Sequence, residues 1–320
     1  MPRFGDGAGT GPSGLPPWLE GLTLYLRGAL MGFADVIPGV SGGTVALIVG
    51  VYERLILGLA TVFRVPVLLV RSGLRGAWRG IVEIPWFFLV TLGLGIGSAF
   101  IIGANVIPGV YERWTLQANA LFFGLILGSL AVPWHRIQVP RRRNIVIAGV
   151  AAVIAFILTG FPQREAVDPS VWLIGGAAMV AVSAMVLPGV SGAYLLHVFG
   201  VWVPTLEAVR GADFAFLGVF ALGALAGAVV IVAVVSWLLK HHHDVTLAAL
   251  VGLMLGALRA LWPWVDDERM ALPDLDSALI VGLLLIAGGF FLVRLIDHWG
   301  RQQFKLQRRG SGEGGGEGSL

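Results

Sequence analysis

"IPGVSGGTVAL", Ile37–Leu47, interrupts a long apolar stretch with a proline, three glycines and a serine. Its meaning depends on what surrounds it. The chain is 57% hydrophobic and 13% charged, with a mean hydropathy of +0.84. That leaves too little polar surface to coat a soluble globule, so the sequence reads as an integral membrane protein. Irregular backbone at membrane depth strands N–H and C=O groups, at several kcal/mol each. It survives only where protein or a water-filled cavity encloses it.

The same interruption occurs twice. Setting Pro38 over Pro188 lays "PGVSGG" on "PGVSGA" and matches Val36 to Val186, Ala34 to Ala184 and Gly50-Val51 to Gly200-Val201. Farther on, Gly93 and Gly97 match Gly223 and Gly227, while Gly124 and Gly128 match Gly252 and Gly256. These glycines have the small-xxx-small spacing of close transmembrane helix contacts, and that packing role is expected for all of them.

Around the two interruptions, the segments Ile84–Ile107, Ala118–Trp134, Asn144–Phe161, Phe214–Leu239, Val245–Trp262 and Ser277–Leu295 read as full spans. Leu22–Val36 and Val171–Leu187 are shorter than a straight crossing prefers, and each meets a Pro-Gly-Val-Ser-Gly break. Arg71, Arg75, Arg79, Arg136, Arg141 to Arg143, Lys240, Arg301, Lys305, Arg308 and Arg309 fall in alternate connections, which the positive-inside rule makes cytoplasmic. Glu112, Glu165, Asp168, Asp266, Asp267, Glu268, Asp274 and Asp276 fall in the others. The spans alternate consistently only if each broken segment enters and leaves on the same side.

The predicted fold is therefore an all-α polytopic membrane protein built as an inverted repeat, each half one re-entrant helical hairpin plus three transmembrane helices. Residues 1–21 form a flexible tail, 22–161 the first repeat, 171–295 the second, and 296–320 a basic and then glycine-rich cytoplasmic tail. Residues 1–21 lack the apolar core of a signal peptide. Inverted repeats with discontinuous helices are typical of secondary transporters, which bind substrate where the broken helices meet.

This points to Pro38, Gly39, Val40, Ser41, Gly42, Gly43 and Thr44, with Pro188, Gly189, Val190, Ser191 and Gly192, as substrate-binding residues. Proline ends one half-helix, glycine permits close approach, and Ser41 and Thr44 can cap the next. The plainer alternative is a pair of tight turns. Asp35, Glu53, Arg54 and Arg27 are candidates for ion coupling or headgroup contact, because ionisable groups inside a membrane are costly. Against that, Asp35 can serve as a helix cap and Glu53 can pair with Arg54 or Arg27. His197 reads as a packing residue and His241 to His243 as interfacial. No metal site is expected from the triplet, since adjacent helical residues point apart.

The absence of cysteine excludes disulfides, thiolate metal sites and cysteine nucleophiles. A pI near 9.7 reflects basic loops that set topology rather than a nucleic-acid surface. "GVYER" recurs at Gly50–Arg54 and Gly109–Arg113, outside the repeat spacing.

"ADVIPGVSGGTVALIVGVYERLI" (Ala34–Ile56), "LPGVSGAYLL" (Leu187–Leu196) and "ALFFGLILGSL" (Ala120–Leu130) resemble the bacterial polyprenyl-phosphate transporter family, PopT type, over Leu22 to Leu295. The resemblance implies a non-enzymatic transporter that returns undecaprenyl phosphate from the outer to the inner leaflet of the cytoplasmic membrane; no cofactor is expected. The basic connections place both termini in the cytoplasm, and the cost of moving the phosphate's charge inward makes a proton or sodium ion the expected coupling partner. The second motif runs Gly192-Ala193 where the first has Gly42-Gly43-Thr44, so equivalent contacts from Thr44 and Ala193 are not expected.

Two other readings stay open: an intramembrane undecaprenyl-diphosphate phosphatase, and a carrier of another small anion. The phosphatases follow their signature serine with arginine, whereas Gly42 and Gly192 stand there here.

Overall fold

A computed structural model describes residues 16–37, 39–162, 168–266, 269–273 and 277–312. The described elements are helices apart from one two-stranded ladder. The first group is α1 (Pro17–Val36), α2 (Gly42–Ile48), α3 (Tyr52–Glu83), α4 (Trp86–Arg113), α5 (Thr115–Ser129), α6 (Ala131–Trp134) and α7 (Arg142–Leu158). The second is α8 (Val171–Val186), α9 (Gly192–Val198), α10 (Trp202–Arg210), α11 (Phe214–His241), α12 (His243–Ala257) and a 3-10 turn (Leu258–Leu261). Strands β1 (Val265–Asp266) and β2 (Arg269–Met270) pair antiparallel, and α13 (Ser277–Gly312) closes the chain.

Six helices are long and apolar enough to cross a membrane, seven if the bent pair α9 and α10 is counted as one span. Five of them cover expected spans. Asn144–Phe161 becomes the 17-residue α7, below full-span length, and the sixth long helix is α3, which the sequence reading did not treat as a span. Large apolar side chains cover the outer faces of α4, α7, α11 and α13, as lipid contact requires.

The repeat is written in the backbone. Helices α1, α2 and α3 have starts or ends at Val36, Gly42, Ile48 and Tyr52, and α8, α9 and α10 at Val186, Gly192, Val198 and Trp202, each 150 positions later. Ile37 (φ −86°, ψ 122°) and Leu187 (φ −83°, ψ 129°) are both extended, as the steric demand of a following proline dictates. Gly39 and Gly189 take φ of +82° and +93°, and Gly50 and Gly200 take +77° and +71°. L side chains resist that region, which explains why both copies keep glycine after the proline.

Packing follows the same correspondence. Helix α1 lies along α4 as α8 lies along α11, and α5 lies along α13 as α12 lies along α7. The last two pairs join one half to the other. Small residues allow the close approach. Gly124 and Gly128 meet the backbone of Ile286 and Phe290, Gly252 and Gly256 that of Ala148 and Ala152, and Gly223 and Gly227 that of Gly175 and Met179. The expectation fails for Gly93 and Gly97, where a Cβ would meet nothing within 4 Å. The contact with α1 is made by Gly95 against Tyr25, and by Gly28 and Gly32 against Leu92 and Ile96. The period was right and the helix face was wrong.

Candidate functional site

The two breaks meet. Gly189 N–H donates to Thr44 Oγ1 at 2.8 Å, and Thr44 is 0% exposed. Ser41 Oγ lies 3.5 Å from the Met185 carbonyl, and a Cβ on Gly43 would sit 3.0 Å from that same oxygen. The start of α2 therefore abuts the end of α8.

Within the first break, Asp35 reaches over the start of α2. Its Oδ1 accepts the Gly42 N–H at 2.6 Å, and Ser41 Oγ accepts the Gly43 N–H at 3.2 Å. Both are N-cap bonds that satisfy donors the short helix leaves open. In the second break Ser191 accepts the Tyr194 N–H at 3.4 Å, while Met185 stands where Asp35 does and packs its thioether on Gly192. A Cβ on Gly42 would lie 2.5 Å from an Asp35 carboxylate oxygen, and one on Gly192 would lie 2.6 Å from the Ala181 carbonyl. Neither position has room for a side chain.

Val40, Pro188 and Val190 are buried beside these contacts, and Gly39 lies against Ala260 and Leu261. Pro38 lies outside the described residues. The structural counterpart of Thr44 is Tyr194, not Ala193, since each stands two residues into its half-helix. Tyr194 OH donates to the Phe161 carbonyl just beyond α7. His197 packs its ring on Trp202, 5.2 Å between centroids.

A second cluster sits where the first break gives way to α3. Glu53 lies 3.6 Å from Arg136 and 3.4 Å from His243, in place of the Arg54 or Arg27 partner expected from sequence. Arg54 instead pairs with Glu20, in the first turn of α1, at 3.6 Å and lies 4.1 Å above the Phe88 ring. Arg27 is exposed and takes part in none of the described ion pairs. His243 also approaches Asp244 at 3.5 Å, and Asp244 accepts the Gln138 and Val139 N–H groups at 2.9 and 3.0 Å. Glu20 and Asp244 were not singled out from sequence, and Arg136 and His243 were read only as markers of topology or interface. A charged "HHHD" run opening an apolar helix was the available signal. Among the described residues no three His, Asp or Glu side chains converge as metal ligands.

The two copies of "GVYER" differ in structure. Gly50–Arg54 turns through a positive-φ glycine into α3, whereas Gly109–Arg113 is the last turn of α4.

A multi-pass α-helical membrane protein whose two broken helices meet in its interior is the class these features define. The chain belongs to the undecaprenyl phosphate translocase-like family, whose model matches residues 31–277. It is 37% identical over 256 residues to the polyprenyl-phosphate transporter of Vibrio cholerae, covering 77% of this chain and 79% of the relative. It is 30% identical over 256 residues to the polyprenyl-phosphate transporter of Staphylococcus aureus, covering 74% and 85%. No solved structure matches the chain.

Proposed function

We propose that the protein carries polyprenyl phosphate from the outer to the inner leaflet of a bacterial cytoplasmic membrane, with both termini cytoplasmic. The headgroup passes the crossing of the two Pro-Gly-Val-Ser-Gly breaks. Family membership supplies the substrate class, since the relatives are named polyprenyl-phosphate transporters. The observation that carries the route is the Gly189–Thr44 hydrogen bond, which joins the breaks inside the protein.

Two sets of contacts support an inverted pair of re-entrant hairpins. Arg54 pairs with Glu20, so the first broken segment returns toward its point of entry. The pairing of α5 with α13 and of α12 with α7 relates the two halves as copies, and three spans in each half would turn the second copy over relative to the first.

A phosphate monoester carries about −1.5 to −2 charges at neutral pH. Moving it inward against a negative interior costs about 2.3 kcal/mol per charge for each 100 mV. A co-transported proton or sodium ion offsets part of this, and Asp35, whose carboxylate rests on the first break, is the group placed to carry it. Glu53, at the mouth, is the second. A phosphatase mechanism loses support from the site itself: the arginine of that signature would have to occupy Gly42 or Gly192, where even a Cβ collides with Asp35 or Ala181.

Purified protein in sealed vesicles, supplied with labelled polyprenyl phosphate in one leaflet, tests the reading. Leaflet exchange without phosphate release is expected. Release of inorganic phosphate from the diphosphate lipid, or uptake of a water-soluble anion without lipid movement, would refute it.

A further inference from the structure

Helix α3 meets the length and composition of a membrane span, yet its contacts show that it doubles back. Gly73 inside it has φ 64° and ψ −163°, a non-helical setting. Beyond it the chain returns alongside itself: a Cβ on Gly80 would lie 2.7 Å from Leu68 Cδ1 and 3.3 Å from Val65 Cγ2. Near its start, Gly58 faces Pro85 and Leu89, where α4 begins. The excursion therefore leaves from and returns to one end of α4.

The second half has no such excursion. Pro38 and Pro188 are 150 positions apart, but Gly95 and Gly223, which meet the matching residues Tyr25 and Gly175, only 128, so the first half holds 22 more residues between its break and its next span. In the second half the nine-residue α10 and a short turn suffice. The shared architecture does not need the insertion, which calls for a separate role.

Both legs present an unpartnered apolar stripe. Val70 is 86% exposed, Leu74 81%, Trp78 67% and Val82 67%, and the last three recur every four residues on the returning leg. Ala77 and Gly80 are buried, Gly80 against Leu68 and Val65 of the outgoing leg. On a helical wheel of 100° per residue, Arg75 and Arg79 border the apolar stripe of the returning leg, and Arg64 and Arg71 border that of the outgoing leg. Apolar residues flanked by arginine, on a returning leg that carries Arg75, Arg79 and Glu83 within ten residues, are the pattern of a helix lying in the plane of a membrane interface.

We infer that residues 59–83 form an amphipathic helical hairpin that docks on the anionic surface of the cytoplasmic leaflet. The apolar stripes enter the headgroup boundary, and the arginines engage lipid phosphates. The basic charge names the partner, because the inner leaflet is the anionic surface within reach of a segment that starts and ends at the cytoplasmic end of α4. Each arginine contributes roughly a fivefold preference for an anionic over a neutral surface.

The chain has no cysteine, so single-cysteine variants of the full-length protein can carry an environment-sensitive dye. Val70→Cys, Leu74→Cys and Val82→Cys should give blue-shifted emission, quenched by nitroxides near the lipid headgroups. Ser72→Cys and Glu83→Cys should stay open to an aqueous quencher. The contrast should be stronger in phosphatidylcholine vesicles containing phosphatidylglycerol than in phosphatidylcholine alone. The combined Arg71→Gln, Arg75→Gln, Arg79→Gln variant should lose that dependence on lipid charge. Equal wetness at all five sites would overturn the inference, as would labelling of the two ends of α3 from opposite sides of the membrane. So would efficient Leu74→Cys cross-linking between two copies, which would make the stripe a protein interface.

Discussion

Thr44 and Asp35 spend their polar atoms on backbone donors of the breaks, Thr44 on Gly189 in the turn before α9 and Asp35 on Gly42 at the start of α2. Removing the hydroxyl in Thr44→Val leaves the buried Gly189 N–H unpaired, which costs about 1–3 kcal/mol. Stability by denaturant titration in detergent should fall by that amount, while Thr44→Ser should recover most of it. Gly42→Val drives a branched side chain into the Asp35 carboxylate, and lipid transport should be lost with membrane insertion retained. Wild-type transport by Gly42→Val would return the breaks to the status of ordinary turns. Asp35→Asn keeps an oxygen that can accept the Gly42 N–H but cannot carry a proton. Transport in vesicles with an imposed potential should persist and lose its dependence on the ion gradient. Unchanged dependence would leave Asp35 with capping alone.

Glycines separate packing from mere composition at the level of helices. Gly95 and Gly97 lie two residues apart on α4, yet only Gly95 meets the backbone of α1, at Tyr25. Gly95→Leu should destabilise the protein by about 1–3 kcal/mol or more through overpacking. Gly97→Leu, which meets open space, should stay within about 0.5 kcal/mol. Thermal unfolding of the two variants side by side gives the comparison. Sequence periodicity revealed that glycines pack these helices but not which ones, since a one-turn pattern on α4 fits two faces equally well. The breaks were more legible: proline, positive-φ glycine and capping serine dictate local backbone without help from tertiary contacts, and both copies follow them. What sequence could not reveal were the long-range partners. Glu53 finds Arg136 and His243, 83 and 190 residues away, and no local pattern encodes such pairings. The reversal of α3 was hidden for a similar reason, because Gly73, between Arg71-Ser72 and Leu74-Arg75, looks like any helical glycine until Gly80 is seen against Leu68.

For the molecule as a whole, the exchanged helix pairs α1–α4 with α8–α11, and α5–α13 with α12–α7, make each half complete the other. A half expressed alone would expose the faces that bind α13 or α12, so neither half should fold stably without its partner; co-expression of the separated halves should restore a complex detectable by affinity capture. The proposed opposed insertion predicts sidedness: a cysteine at Arg141 should react with an impermeant reagent only from the inside, and one at Asp266 only from the outside. The most direct test of the central claim is to locate the headgroup. Polyprenyl phosphate with a photoreactive group beside its phosphate can be cross-linked to the full-length protein in vesicles and the modified residues mapped. The account predicts labelling at both breaks, around 37–44 and 187–194, competed by unlabelled lipid phosphate and not by the neutral polyprenol. Labelling confined to the lipid-facing surfaces of α4, α11 or α13, or competed equally by the alcohol, would contradict it.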